Sequence, residues 1–246
     1  MPLDAEERRR YARHLLLPQL DEGAYEKIKA ASVLVVGAGG LGSAALLYLA
    51  AAGVGRLGIV DDDAVELSNL QRQVLHTTAD IGRGKTESAA EKLVALNPHV
   101  EVVQHAVRFT AANATELVDA YDVVVTGVDN FPTRYLINAA CVLHGKALSE
   151  GAVLGFAGFA MTIKGGETAC YRCVFPETPE PQPAPGVFGP TPGLVGLVQA
   201  CEAIKVVTGI GRPLYNRILQ IDVLSMTFDE LDVRREPTCT VCGHMA

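Results

Sequence analysis

The chain has 246 residues, with 28 acidic against 21 basic side chains, a formal charge of −7 and 49% hydrophobic residues. That is too apolar for a disordered chain and sufficient for one sizeable core with a small subdomain attached. The net negative charge argues against non-specific nucleic-acid binding, so any polyanionic ligand must be held by a local group of cations.

The N-terminal MPLDAEERRRYARH is charged and lacks the apolar core of a secretory signal. Residues 1–30 are expected to form a helical segment. Residues 30–55 carry no charge and are long enough to span a bilayer, but Gly37, Gly39, Gly40 and Gly42 interrupt the run with turn formers. A strand, a turn and a helix fit that pattern better, and a cytoplasmic protein without membrane contact is expected.

Apolar β-branched runs at Ser32–Gly37, Arg56–Asp61, Val100–Ala106, Asp122–Gly127 and Lys146–Ser149 read as strands. Their continuous apolar character predicts burial on both faces of a parallel sheet. Gly84–Leu96 reads as a helix with Ala89, Ala90, Leu93 and Val94 on one face, ended by Asn97-Pro98. Strand–helix alternation over residues 31–150 predicts a doubly wound α/β architecture.

After Glu150 the pattern changes. Residues 151–164 are glycine-rich and strand-like. Seven of the 13 prolines fall between Pro176 and Pro192, which predicts a long exposed, flexible loop over 175–192 with no regular helix. Gly193–Thr208 reads as a mostly apolar helix, followed by strands at Leu214–Val223 and Ser225–Val233. One domain over 1–246 is expected, made of the segment 1–30, a nucleotide-binding part 31–150 and a distinct part 151–246.

Chemistry concentrates in two places. Gly37-Ala38-Gly39-Gly40-Leu41-Gly42 lies between an expected strand and an expected helix. Glycines there allow a tight turn and close phosphate approach, and the N–H groups at a helix start favour anions. Asp61 stands 19 residues after Gly42, at the end of the next strand, where a ribose-binding carboxylate belongs. To this point a dinucleotide dehydrogenase remains the default. Arg72 and Lys85 shift the balance, because two cations aimed at one phosphate mouth suit an ATP-cleaving enzyme. Asp129, following the strand DVVVTG, could hold Mg²⁺, a hard cation preferring oxygen ligands. Taken singly, Asn69 could be a turn residue and Lys85 a helix-start lysine facing water.

The second place is the cysteine set. Cys170/Cys173 and Cys239/Cys242 form two CxxC pairs, separated by 65 residues, while Cys141 and Cys201 fall in apolar helical patterns that predict burial. In a reducing compartment two CxxC pairs favour a metal over disulfides, and four thiolates complete a closed tetrahedral zinc site. A redox CxxC is the alternative, disfavoured because neither pair is expected to open a helix.

Together GAGGLG, DDDAVELSNLQRQ, VDN and the paired CxxC motifs resemble the MoeB/ThiF/HesA adenylyltransferases, relatives of ubiquitin-activating enzymes, from Arg10-Tyr11-Ala12-Arg13 to Cys242. The length, without an appended rhodanese segment, matches the molybdopterin-synthase branch best. The resemblance implies a Rossmann-like, mostly parallel sheet with C-terminal antiparallel strands and a four-cysteine zinc site. It implies ATP-dependent adenylylation, with Mg²⁺, of the C-terminal Gly-Gly carboxylate of a small ubiquitin-like sulfur carrier bound by part 151–246. Pyrophosphate leaves, and a sulfur donor attacks the acyl-adenylate later. Asp61 would hold the ribose, while Asn69, Arg72 and Lys85 would contact phosphates. Asp129 would bind Mg²⁺, and Gly39 and Gly40 would line the nucleotide. Arg13 would reach into the partner's site of a homodimer.

Many relatives carry a loop cysteine inside a C-x-E-A-G stretch; here Gln182 stands at that position, which implies an enzyme that stops at the acyl-adenylate. The pathway served (molybdenum cofactor, thiamine or tRNA thiolation) stays open. The alternatives are a related enzyme adenylating another substrate, and a non-catalytic nucleotide-binding scaffold.

Overall fold

The apolar runs come together in one eight-stranded sheet in the computed structural model, which describes residues 2–179 and 186–244. The strands are β1 (Ser32–Val36), β2 (Arg56–Val60), β3 (Glu101–His105), β4 (Val123–Thr126), β5 (Ala147–Leu154), β6 (Ala157–Lys164), β7 (Arg217–Asp222) and β8 (Thr227–Asp232). Their order is β3-β2-β1-β4-β5-β6-β7-β8. Strands β3 through β5 in that order pair parallel, and β5 through β8 pair antiparallel. The helices are α1 (Ala5–Arg10), α2 (Glu22–Ala30), α3 (Gly40–Ala52), α4 (Lys85–Leu96), α5 (Ala114–Asp119), α6 (Phe131–Leu143), α7 (Tyr171–Val174) and α8 (Pro190–Thr208). Among the described residues no helix is long and apolar enough to cross a membrane.

Period-two alternation sorts the strand residues between two cores. Val33, Val35, Leu57, Ile59, Val123 and Val125 face α2, α3, α4 and α8. Leu34, Val36, Val60, Val124 and Leu148 face α5, α6 and the α7 segment. Helices therefore cover both faces of the parallel half, which is why its strands read as unbroken apolar runs. Each such fully buried aliphatic side chain contributes about 1.5–3 kcal/mol.

Several expectations need correcting. Strand β3 lies at the edge of the sheet and is half-exposed rather than buried on both faces. Val94 is exposed, so the buried face of α4 is carried by Ala89, Ala90 and Leu93. Residues 151–164 form a hairpin of β5 and β6 that reverses between Leu154 and Ala157, with Gly155 at φ +60°. The loop expected over 175–192 ends earlier, because α8 begins at Pro190. Prolines are tolerated in a first helical turn, where the missing N–H has no intrahelical partner anyway. Gln182 lies outside the described residues.

Cys141 is buried on α6, as expected, but Cys201 is exposed on α8. It lies on a groove of about 480 Å³ shared with Lys205, Leu214 and Arg217. A helix apolar all round shows no solvent side in its sequence. The CxxC expectation also shifts: Cys170 is the N-cap of α7, so one pair does open a helix, although a single-turn one.

Candidate active site

The carboxyl ends of β1, β2 and β4 converge where the direction of strand addition reverses, between β1 and β4. Such a switch point leaves a crevice. Its floor is the turn Gly37–Gly42. Gly37 adopts φ +99°, and a Cβ there would lie 2.6 Å from the carbonyl oxygen of Gly127. A Cβ on Gly42 would lie 1.9 Å from the Gly37 carbonyl oxygen. Side chains are thus excluded at both positions by backbone geometry. Gly39 is the N-cap of α3 and has no side-chain cap, leaving its helix start presented to the crevice.

The turn is gripped at one residue, Ala38, through both of its flanking peptides. The Ala38 N–H donates to Asp61 Oδ2 at 2.8 Å, and the Ala38 carbonyl lies 3.1 Å from His76 Nε2. A carbonyl can only accept, so His76 carries a proton on Nε2. Its Nδ1 lies 2.8 Å from the Ser88 hydroxyl, which accepts from Lys92 Nζ at 2.9 Å. Burial holds the His76 pKa below its ordinary value.

Asp61 follows β2, with 8% of its side chain exposed. Burial pushes its carboxyl pKa up, against the opposing influence of Lys85 and the N–H groups of Asp63 and Ala38. Two of its lone pairs are used by Ala38 and Asp63, leaving others able to accept further donors. Lys85 opens α4 and does not face water: its side chain is 7% exposed. Its Nζ lies 2.7 Å from Asp63 Oδ2 and 4.0 Å from Asp61 Oδ1.

Asn69 and Arg72 come from the 3-10 turn Leu67–Asn69 and the residues after it. Asn69 does serve as a turn residue, with Oδ1 accepting the Glu66 N–H at 3.2 Å. Its carbonyl accepts the N–H groups of Arg72 at 3.0 Å and Gln73 at 2.9 Å, so it shapes the segment that delivers Arg72. The aliphatic stem of Arg72 lies over Gly40, 3.4 Å from where a Cβ would stand, and NH1 donates to the Ser68 carbonyl at 3.0 Å. Arg72 thus packs against Gly40, while Lys85 and Asp61 meet through their ion pair beside the same turn.

Asp129 sits in the loop 127–130 between β4 and α6, exposed, with no hydrogen bond or ion pair to another described residue. Its loop is anchored at Gly127, whose N–H donates to Val36 O at 2.7 Å, and at Asn130, which caps α6 by accepting the Thr133 N–H at 3.0 Å.

Arg13 is not brought to this crevice. It is exposed, and its neighbours Tyr11 and His14 bond to Asn97 and Tyr25, beyond the C-terminal ends of α4 and α3. Helix α3 has 13 residues, about 20 Å of rise, and its N-terminus forms the crevice. A chain therefore carries its own Arg13 at the far end of its own site.

The four paired cysteines do assemble, away from the crevice and beneath α6. Their sulfurs all lie within 4.8 Å of one another, with Cys170–Cys173 at 3.8 Å, Cys170–Cys239 at 3.7 Å and Cys173–Cys242 at 3.3 Å. A tetrahedral centre with 2.3 Å metal–sulfur bonds needs about 3.8 Å between sulfurs, so the set fits a metal ion. Burial pushes the Cys170 thiol up and Cys242 up to about 11. Burial also opposes ionisation of Cys239, but N–H groups of Cys242 and Val241 outweigh it and bring the thiol to about 7. A dication would offset the cost of ionising the rest. The buried Asn138 of α6 braces the cluster by accepting the Tyr171 N–H at 2.9 Å.

Sequence reasoning missed Asp63, His76, Asn138, Arg134 and Glu150. Asp63 had a signal in the DDD run, and Arg134 in being a charge among the apolar residues of α6. The ion pair of Arg134 with Glu150 joins residues far apart in sequence and had none.

Comparison with known proteins gives a consistent result. Residues 11–241 match the ThiF family. A sulfur carrier protein adenylyltransferase of Thermus thermophilus is 50% identical over 248 residues, covering 97% of this chain and 92% of that protein. The maize adenylyltransferase and sulfurtransferase MOCS3-1 is 48% identical over 241 residues, and there the chain spans only 51% of the relative's length. Among solved structures, Escherichia coli MccB with ATP superposes with a TM-score of 0.87 at 26% identity, covering 98% of this chain and 75% of that one.

Proposed function

The chain belongs to the ThiF family, and we propose that it is an adenylyltransferase that uses Mg·ATP to activate the C-terminal Gly-Gly carboxylate of a small ubiquitin-like sulfur carrier. The observation carrying this reading is the gathering of Asp61, Arg72 and Lys85 around the glycine-rich turn Gly37–Gly42. A dehydrogenase has no use for two cations at that mouth; an enzyme that moves charge onto pyrophosphate does.

The chemistry asks little else of the protein. A carboxylate is already ionised and nucleophilic at neutral pH, so no general base is required. One carboxylate oxygen bonds to the α-phosphorus as the bond to the β-phosphate bridging oxygen breaks, giving acyl-adenylate and pyrophosphate. Asp61 would hold the ribose hydroxyls with its unused lone pairs. Arg72 and Lys85 would offset charge on the phosphates, Lys85 exchanging Asp63 for a phosphate oxygen, and Asn69 would add its Nδ2 donor. Gly37, Gly39, Gly40 and Gly42 would admit the phosphates to backbone N–H groups. Asp129 would hold Mg²⁺, which would offset negative charge on the phosphates.

The position of Arg13 supports a homodimer, in which the far end of one chain serves the crevice of a second. The four cysteines would hold a structural zinc, fastening the C-terminal tail to the segment before the loop. Residues 175–189 contain no cysteine, which supports a reaction ending at the acyl-adenylate.

Exchange of labelled pyrophosphate into ATP, stimulated by a carrier ending in Gly-Gly, tests the reading. Asp129→Ala and Arg72→Ala are expected to abolish it; exchange retained in both would remove the site assignment. Exchange stimulated instead by a short peptide or by RNA would favour another adenylated substrate.

A further inference from the structure

We propose that Arg134 is the positioning residue that sets the loop 127–130, and with it the Asp129 carboxylate, at the mouth of the crevice. The inference rests on the reading of Asp129 as the magnesium-holding acid.

Arg134 lies on the second turn of α6, its side chain only 5% exposed. NH2 donates to the carbonyl of Val128, the residue before Asp129, at 2.8 Å, and NH1 donates to the carbonyl of Gly151 on β5 at 2.7 Å. Glu150, with none of its side chain exposed, supplies the counter-charge. One planar cation therefore ties the loop after β4 to the middle of the neighbouring strand.

The tie falls where the loop is otherwise unheld. Gly127 is bonded to Val36 and Asn130 caps α6, but between them Asp129 makes no hydrogen bond or ion pair of its own to the described residues. A buried ion pair is a costly way to fill space, and two apolar residues would pack there at no such cost. What an apolar pair cannot do is donate to two carbonyls on different elements at once. The rigid fork of a guanidinium does so, and a lysine offers only a point charge. Tyr171, beside the Arg134 guanidinium with its ring centroid 5.7 Å away, limits the side chain's freedom further.

The test uses the full chain and ATP titration calorimetry, run in EDTA and again with magnesium, so that no carrier is needed. The variants are Arg134→Lys, the double variant Arg134→Met/Glu150→Leu, and Asp129→Asn. The double variant removes both buried charges together, so no orphaned carboxylate unfolds it; thermal melting checks each protein. In both Arg134 variants ATP affinity in EDTA is expected within threefold of the parent, since Asp61, Arg72 and Lys85 are untouched. The gain in affinity from magnesium is expected to fall at least tenfold, with Asp129→Asn showing the same loss. Adding Asp129→Asn to the double variant should then cost nothing more. If Asp129→Asn loses the magnesium gain while a folded Arg134 variant keeps it, the proposal is overturned and the reading of Asp129 stands. If Asp129→Asn itself keeps the gain, that reading fails and the proposal with it. Failure of both Arg134 variants to fold would make the ion pair a scaffold element and overturn the proposal.

Discussion

The parallel half of the sheet, β1 to β4 with their helices, and the antiparallel half, β5 to β8 with the cysteine cluster, solve stability differently. In the first, β1, β2 and β4 are buried along most of their length, β4 entirely so, and the candidate site lies at their carboxyl ends. In the second, β8 is exposed along its whole length, and four sulfurs gather where Cys170, Cys173, Cys239 and Cys242 meet. A half with a full core can leave its strand ends free for chemistry. A half with less core would gain from the zinc cross-link proposed above, and its open strands stay available as surface.

That contrast can be broken most sharply at the crevice. Lys85→Met should lower carrier-dependent pyrophosphate exchange by about 10²–10³-fold, the usual cost of one preorganised charge-stabilising group. Melting should fall as well, since buried Asp61 loses the cation that opposes its desolvation, while exposed Asp63 is left solvated. An equal loss from a substitution in β8 would erase the functional difference between the halves.

Cys173→Ser tests the other half. Hydrogen exchange should rise over residues 168–175 and 236–244, where the cluster's backbone lies, while ATP affinity stays within threefold of the parent. Loss of ATP binding in a still-folded variant would show that the halves are not separable.

The smallest expected effect is a pH dependence within the parallel half. Burial lowers the His76 pKa in the folded chain, so the unfolded chain takes up a proton near pH 6.5 while the folded one does not. Stability should be complete above that pH and decline as pH falls below it, by at most about 1.4 kcal/mol per unit, until the folded histidine is itself protonated. Carboxylates add their own losses, Asp80 among them. Burial raises its pKa, but Lys92 and Thr77 outweigh that and hold it far below the usual range, so its contribution fades only under about pH 4. His76→Gln keeps a donor for the Ala38 carbonyl and should remove the decline between pH 6.5 and 5, measured by urea unfolding. An unchanged slope would place the titrating group elsewhere.

Local signals carried most of the first half. Glycine spacing, an acid at a strand end and helical apolar periodicity each depend on neighbours within a few turns, and they located Gly37–Gly42, Asp61 and α4 correctly. The exposure of Cys201, the edge position of β3 and the start of α8 at Pro190 were not legible, because each depends on what packs alongside.

By itself the sequence determined the strand–turn–helix that builds the floor of the crevice, since φ +99° at Gly37 and the lack of room at Gly42 leave glycine alone able to sit there. It also determined which sulfurs were available in pairs. Only the tertiary structure decided that Lys85 is buried against Asp63, that Arg13 ends up at the opposite end of its own site, and that Arg134 meets Glu150 and two carbonyls. Those outcomes join residues brought together by sheet order and helix packing, and no periodicity along one chain encodes such meetings.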